Sequence, residues 1–117
     1  MGNFQKLRVW QLAKEQAVMV YRLTQRKNFA KDFGFKDQIQ RSAVSIPSNI
    51  SEGDELDTDK QSIRFFYIAK ASAAELLTQV LIGKEIGYID NKEADQLIEN
   101  CRIISVMLTK LIKARNS

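Results

Sequence analysis

Apolar residues along this chain recur every three or four positions in four separate stretches, and each stretch predicts an amphipathic helix. In the first, from about Leu7 to Arg26, Trp10, Ala13, Ala17, Val20 and Thr24 share one line, with Val9, Leu12, Met19 and Leu23 beside it. Residues 27 to 34 break the period and contain a glycine, which predicts a connection. In the second stretch Phe35, Ile39, Ala43, Ile46 and Ile50 form the apolar stripe. Pro47 lies inside it, and because Ile50 stays in phase the proline is expected to bend the helix rather than end it. Gly53 to Asp57 reads as a turn, after which Thr58 and Gln61 form a capping box for the third helix. That helix runs to about Ile86, where Gly87 supplies the stop, and is on the order of 40 Å long. The fourth begins at Asp90, capped reciprocally with Glu93, and carries Ala94, Leu97, Cys101, Ile104, Leu108 and Leu111 as a coiled-coil-like seam.

No strand pattern competes with these helices. Long apolar helices joined by short turns pack against their sequence neighbours, so the expected fold is all-α, an antiparallel up-down-up-down four-helix bundle. With 117 residues and no repeat, low-complexity tract or Gly/Ser linker, residues 1–117 read as a single domain. The third helix is apolar on more than one side. Ile63, Phe66, Tyr67, Ala74, Leu77 and Leu81 are assigned to the bundle core, which leaves Phe65, Ile68, Ala69, Leu76, Val80 and Ile82 pointing elsewhere. A bundle covers one stripe of each helix, so the surplus predicts a second buried surface, with self-association its simplest source and Phe65, Ala69 and Leu76 among its residues.

The second helix adds a polar stripe of Gln38, Arg41, Ser45, Asn49 and Glu52. Arg41, Asn49 and Glu52 can share a face and form a hydrogen-bonded network, either buried at a subunit junction or beside the Pro47 bend, or turned toward a partner. The structural role is favoured because Glu52 repels phosphate.

Charge is arranged in blocks. The net +4 divides into a basic first fifty residues, an acidic middle and a basic C-terminal segment. A basic balance points to a polyanionic partner, RNA or DNA, but acids such as Asp57, Asp59 and Asp90 fall where helices begin and bases such as Arg22, Arg26 and Lys110 where they end. In a bundle Arg22, Arg26, Lys27 and Lys31 gather at one end. Together with Arg41, the first three are the candidate nucleic-acid contacts, made to phosphates without sequence preference.

Catalytic chemistry finds no footing. The chain has no histidine, which removes the commonest general base near neutral pH and the commonest metal ligand. Cys101, the single cysteine, sits on an apolar seam as a buried thiol, and no Gly-rich phosphate loop is present. The acidic run from Glu52 to Asp59 lacks the ligand order of a calcium loop. The expectation is a non-enzyme with no metal, cofactor or small-molecule substrate. One cysteine and the absence of a signal-like or membrane-length apolar run predict a cytoplasmic protein with no membrane partner. Met1-Gly2 opens like a myristoylation signal, but Lys6 stands where that signal requires Ser or Thr.

The motif QRSAVSIPSNISEG, from Gln40 to Gly53, resembles the signature of four-helix-bundle proteins encoded within intervening sequences of bacterial large-subunit ribosomal RNA genes. The resemblance extends to Leu7, Val9-Trp10-Gln11, Ala13 and Tyr21, to Phe33-Gly34-Phe35, to Phe66, Ile68-Ala69, Ala71-Ser72 and Glu75-Leu76, and to Gly87-Tyr88. It implies a homopentameric barrel of bundles linked to ribosomal RNA. A related branch, the accessory protein of diversity-generating retroelements, implies nucleic-acid binding and a reverse transcriptase as a possible partner. The alternative is a structural protein-interaction module that binds no nucleic acid.

Overall fold

The structure, a computed structural model, describes residues 3–116; Met1 and Gly2, compared above with a lipidation signal, lie outside them. Every regular element among the described residues is helical. A 3₁₀ turn at Phe4–Lys6 precedes α1 (Arg8–Leu23), α2 (Lys27–Lys31), α3 (Phe33–Glu55), α4 (Asp59–Glu85) and α5 (Asn91–Arg115). The four long helices are the four predicted stretches. They close a ring around one core, α1 against α3 and α5, α3 against α4, and α4 against α5. The molecule measures 45 × 21 × 20 Å, and the 27 residues of α4 account for its length.

Where the period breaks, the chain makes α2 rather than a plain loop. Lys27 takes φ 40°, a left-handed conformation that costs a non-glycine residue about 1–3 kcal/mol. The turn drives Phe29 into the end of the core, where its ring stacks on Phe35 at 5.5 Å and meets Tyr88 at 5.1 Å. Asp32 then starts α3 through a bond from Phe35 N to Oδ1, while its Oδ2 accepts from the Tyr88 hydroxyl at 2.9 Å.

Helix α3 passes through Pro47 unbroken and runs to Glu55, so the turn expected at Gly53 to Asp57 begins later. Gly53 serves packing instead. A Cβ there would lie 2.7 Å from the Phe66 ring and 3.1 Å from the Ser62 carbonyl, and the Ser62 hydroxyl donates to the Gly53 carbonyl at 2.6 Å. The predicted caps hold on one side. Thr58 accepts from Gln61 N and Asp90 from Glu93 N, but the Glu93 carboxylate reaches across to Arg26 rather than back to Asp90. Gly87, with φ 82°, ends the α4 segment as expected.

The stripe assigned to the core of α4 requires correction. Phe66, Ala69, Ala73, Leu76 and Val80 are the buried line, whereas Tyr67, Ala74 and Leu81 are exposed. Bulk does not set the phase of α4, because it meets α3 through small and polar side chains. Ser42 Oγ donates to Gln79 Oε1, the Ser45 and Ser72 hydroxyls meet at 2.8 Å, and Ser62 bonds Gly53. Ala69 and Leu76, expected at an interface with another subunit, are fully buried in this one. By length and composition α4 could span a bilayer, against the reading that no such segment exists, but its inner stripe is part of the helical core. The seam of α5 stands as predicted through Leu108, with Ile112 buried and Leu111 partly so.

Candidate interaction site

The polar stripe of α3 does not form a single network. Asn49 turns inward, its Nδ2 donating to the carbonyl and hydroxyl of Ser45 at 2.8 and 3.0 Å. Ser45 continues the chain of bonds to Ser72, so these residues hold the α3 and α4 seam together. Glu52 is exposed one turn further on and lies with the half-buried Phe65, Phe4 and Leu56 around a separate hollow. Gln38 and Arg41 remain at the surface, and Arg41 has only a loose 3.9 Å pairing with Asp37.

Gln38 and Arg41 border a cleft of about 620 Å³ that crosses the outer face of α3. Tyr21 and Val44 stand toward α1, and Glu75 and Gln79 toward α4. The α1 end is fixed by a relay in which Gln40 Nε2 donates to Thr24 Oγ1 at 2.9 Å and Thr24 Oγ1 donates to the Tyr21 carbonyl at 2.8 Å. Beyond Tyr21 the surface continues as an apolar groove over Ala17, Val18 and Pro47, with Lys14 and Arg22 on its rim.

The four predicted basic contacts therefore do not form one patch. Arg22 borders the apolar groove, Arg41 the cleft, and Arg26 and Lys27 a hollow at the end of the molecule with Lys84, Tyr88 and Asp90. Arg26 is neutralised by Glu93 at 2.6 Å, and Lys84 by Asp95 at 3.0 Å. Arg22 and Lys27 are exposed and have no acidic partner among the described residues.

Polar residues of the core escaped the sequence reading, Gln79, Ser72 and Gln16 among them. Gln79 and Ser72 lie on the buried line of α4, and spacing them with Ala69, Ala73, Leu76 and Val80 would have exposed the true phase. Gln16 is buried in α1 and donates to Cys101 Sγ at 3.2 Å. Burial pushes the Cys101 thiol up to about 11, with the bond from Gln16 pulling the other way, so it stays protonated and unreactive near neutral pH. Among the described residues no three His, Cys, Asp or Glu side chains gather as a metal site.

What these features define is an all-helical protein of four long helices whose polar groups converge at helix seams and surface clefts. The chain belongs to the 23S rRNA-intervening sequence protein family, which it matches over residues 5–110. It is similar to a protein of unknown function from the S23 ribosomal protein family of Bacteroides thetaiotaomicron, solved by crystallography, with 26% identity and a TM-score of 0.81. The similarity covers 90% of this chain and 98% of that one. No curated protein matches the chain.

Proposed function

We propose that the protein is a non-enzymatic, cytoplasmic accessory or scaffold linked to ribosomal RNA, assembled as a homo-oligomer that family resemblance makes a pentamer. The observation that carries the RNA link is membership of the 23S rRNA-intervening sequence protein family over residues 5–110. Each subunit is one domain, an antiparallel up-down-up-down bundle. Its directions are supported by the pairs Ser42 with Gln79, Ser45 with Ser72 and Gly53 with Ser62, in which positions rise on α3 as they fall on α4. Arg26 after the end of α1 meets Glu93 at the start of α5, and Arg115 at the end of α5 meets Asp54 at the end of α3.

Self-association is supported by the apolar surface that the subunit leaves uncovered. Tyr67, Ile68, Leu81 and Ile82 are exposed along α4, and Ile103 and Val106 along α5. This replaces the core residues Ala69 and Leu76 as the assembly surface. RNA contact is assigned to Arg22, Lys27 and Arg41, with Arg26 a weaker candidate because Glu93 already holds it. Copies arranged around an axis would repeat these separated charges and add avidity.

Electrophoretic mobility shift with ribosomal RNA fragments over a salt series tests the reading. Retention at low salt that falls steeply with salt supports it, and Arg22→Ala with Lys27→Ala should reduce the shift more than Arg26→Ala. No retention at low salt would favour the protein-interaction module, for which the internally paired Arg26 and Lys84 already speak.

A further inference from the structure

Gln79 is buried, at 7% exposure, yet only half of its amide is used. Its Oε1 accepts from Ser42 Oγ, while its Nε2 has no partner among the described residues, and the side chain lines the cleft across α3. The hydrogens it leaves over open onto the cleft, where an entering group that accepts a hydrogen bond can take them in place of water. One helical turn earlier Glu75 stands exposed on the same wall, and residues four apart on a helix lie about 5–6 Å from each other at Cβ. A free amide hydrogen and a carboxylate are thus side by side. At the other end of the cleft Tyr21 is 43% exposed beside Val44, and Arg41 is the cation of the lining.

We propose that this cleft binds two consecutive nucleotides of single-stranded RNA, with a guanine at Glu75 and Gln79. Among the four bases guanine alone places two adjacent N–H donors, N1 and N2, beside an acceptor, O6. Glu75 takes the two donors and Gln79 Nε2 donates to O6. The neighbouring base stacks on Tyr21, as unpaired bases do on aromatic side chains. Arg41 meets the phosphate between them. Glu75, which repels phosphate, sits at the base end of the cleft, and about 620 Å³ is within the range of ligand sites. This rests on the RNA-linked function above and adds a choice of base to phosphate contacts that have none.

Fluorescence anisotropy of short labelled RNAs, identical except for G, A, C or U at one central position, tests it with the whole protein at low salt. The guanine RNA should bind about tenfold more tightly than the others. Glu75→Gln should abolish that preference, and Tyr21→Ala should weaken all four RNAs alike. Both residues are exposed, and thermal melting verifies that the variants fold. Equal affinity for the four RNAs, or a guanine preference that survives Glu75→Gln, overturns the site while RNA binding stands. If no RNA is retained, the RNA-linked function fails, and guanosine monophosphate followed through the Gln79 side-chain amide resonance decides the cleft. A shift there keeps the guanine site; no shift overturns it.

Discussion

Gln16 and Cys101 meet inside the core, where Gln16 Nε2 donates to Cys101 Sγ at 3.2 Å and Gln16 Oε1 has no partner. A hydrogen bond to sulfur is weak, whereas an unsatisfied buried carbonyl costs about 1–3 kcal/mol. Gln16→Met, close in length and without polar side-chain oxygen or nitrogen, should therefore stabilise the protein by about 1 kcal/mol. Urea denaturation checks this; a lower midpoint would show that the amide supports the fold in another way.

The thiol itself predicts an alkaline weakness. Cys101 has an ordinary value of 9.0 that the fold raises to about 11, chiefly by burial. Below pH 9 both folded and unfolded chains keep the proton. Between pH 9 and 11 the unfolded chain releases it and the folded one does not, so stability falls by about 2–3 kcal/mol as pH rises through that window. Because lysines and tyrosines also titrate there, the measurement is the difference in pH slope between the wild type and Cys101→Ala. Identical slopes would refute the assignment.

Two glycines of α3 should respond in opposite directions to alanine. Gly53→Ala drives a methyl group to 2.7 Å from the fully buried Phe66 ring and should cost about 1–3 kcal/mol in spite of the gain in helix propensity. Gly34 has open space at its Cβ position, so Gly34→Ala should stabilise by about 0.5–1 kcal/mol. Thermal melts of the two variants side by side would expose a wrong assignment of either role.

Asp32 joins the start of α3 to the segment between α4 and α5. Its hydrogen bond with the Tyr88 hydroxyl is the largest cause of the raised Tyr88 pKa, followed by desolvation and by the charge of Asp32. Asp32→Asn should bring the Tyr88 titration down toward its ordinary value, read as an earlier rise in tyrosinate absorbance than in the wild type. Asp32→Ala should in addition remove the cap on α3 at a cost of about 1 kcal/mol.

On the proposed assembly, the faces of α4 divide folding from self-association. Leu81→Glu and Ile82→Lys alter exposed positions, and should leave the helical circular dichroism intact while reducing the sedimenting mass. Leu76→Ala empties a fully buried position and should cost about 2–5 kcal/mol of subunit stability. A wild-type chain that sediments as a single copy at micromolar concentration removes the assembly from consideration.

Helix positions and stops were legible because they rest on local signals. Thr58, Asp90 and Gly87 act at the ends where they were placed, and Ile39, Ala43, Ile46 and Ile50 are buried as their spacing requires. The face of α4 was not legible by bulk, since its contact with α3 depends on Ser62, Ser72 and Gln79 finding partners on another helix. Gly53 looked like a turn because its reason for being small is a ring thirteen positions away. The basic residues were found but not their company, and Glu93 changes what Arg26 can offer, whereas Asp37 holds Arg41 only loosely. Such pairings depend on tertiary placement, which periodicity does not encode.

Pro47 carries no amide hydrogen, so the carbonyl of Ala43 receives nothing from the turn that follows it. The backbone ladder of α3 has a missing rung between the cleft residues from Gln38 to Ser45 and the Gly53 contact with Phe66. Helix α3 is consequently fastened to α4 on either side of Pro47, by Ser45 and Ser72 before it and by Gly53, Ser62 and Phe66 after it, so that side chains brace the place where the backbone gives least support.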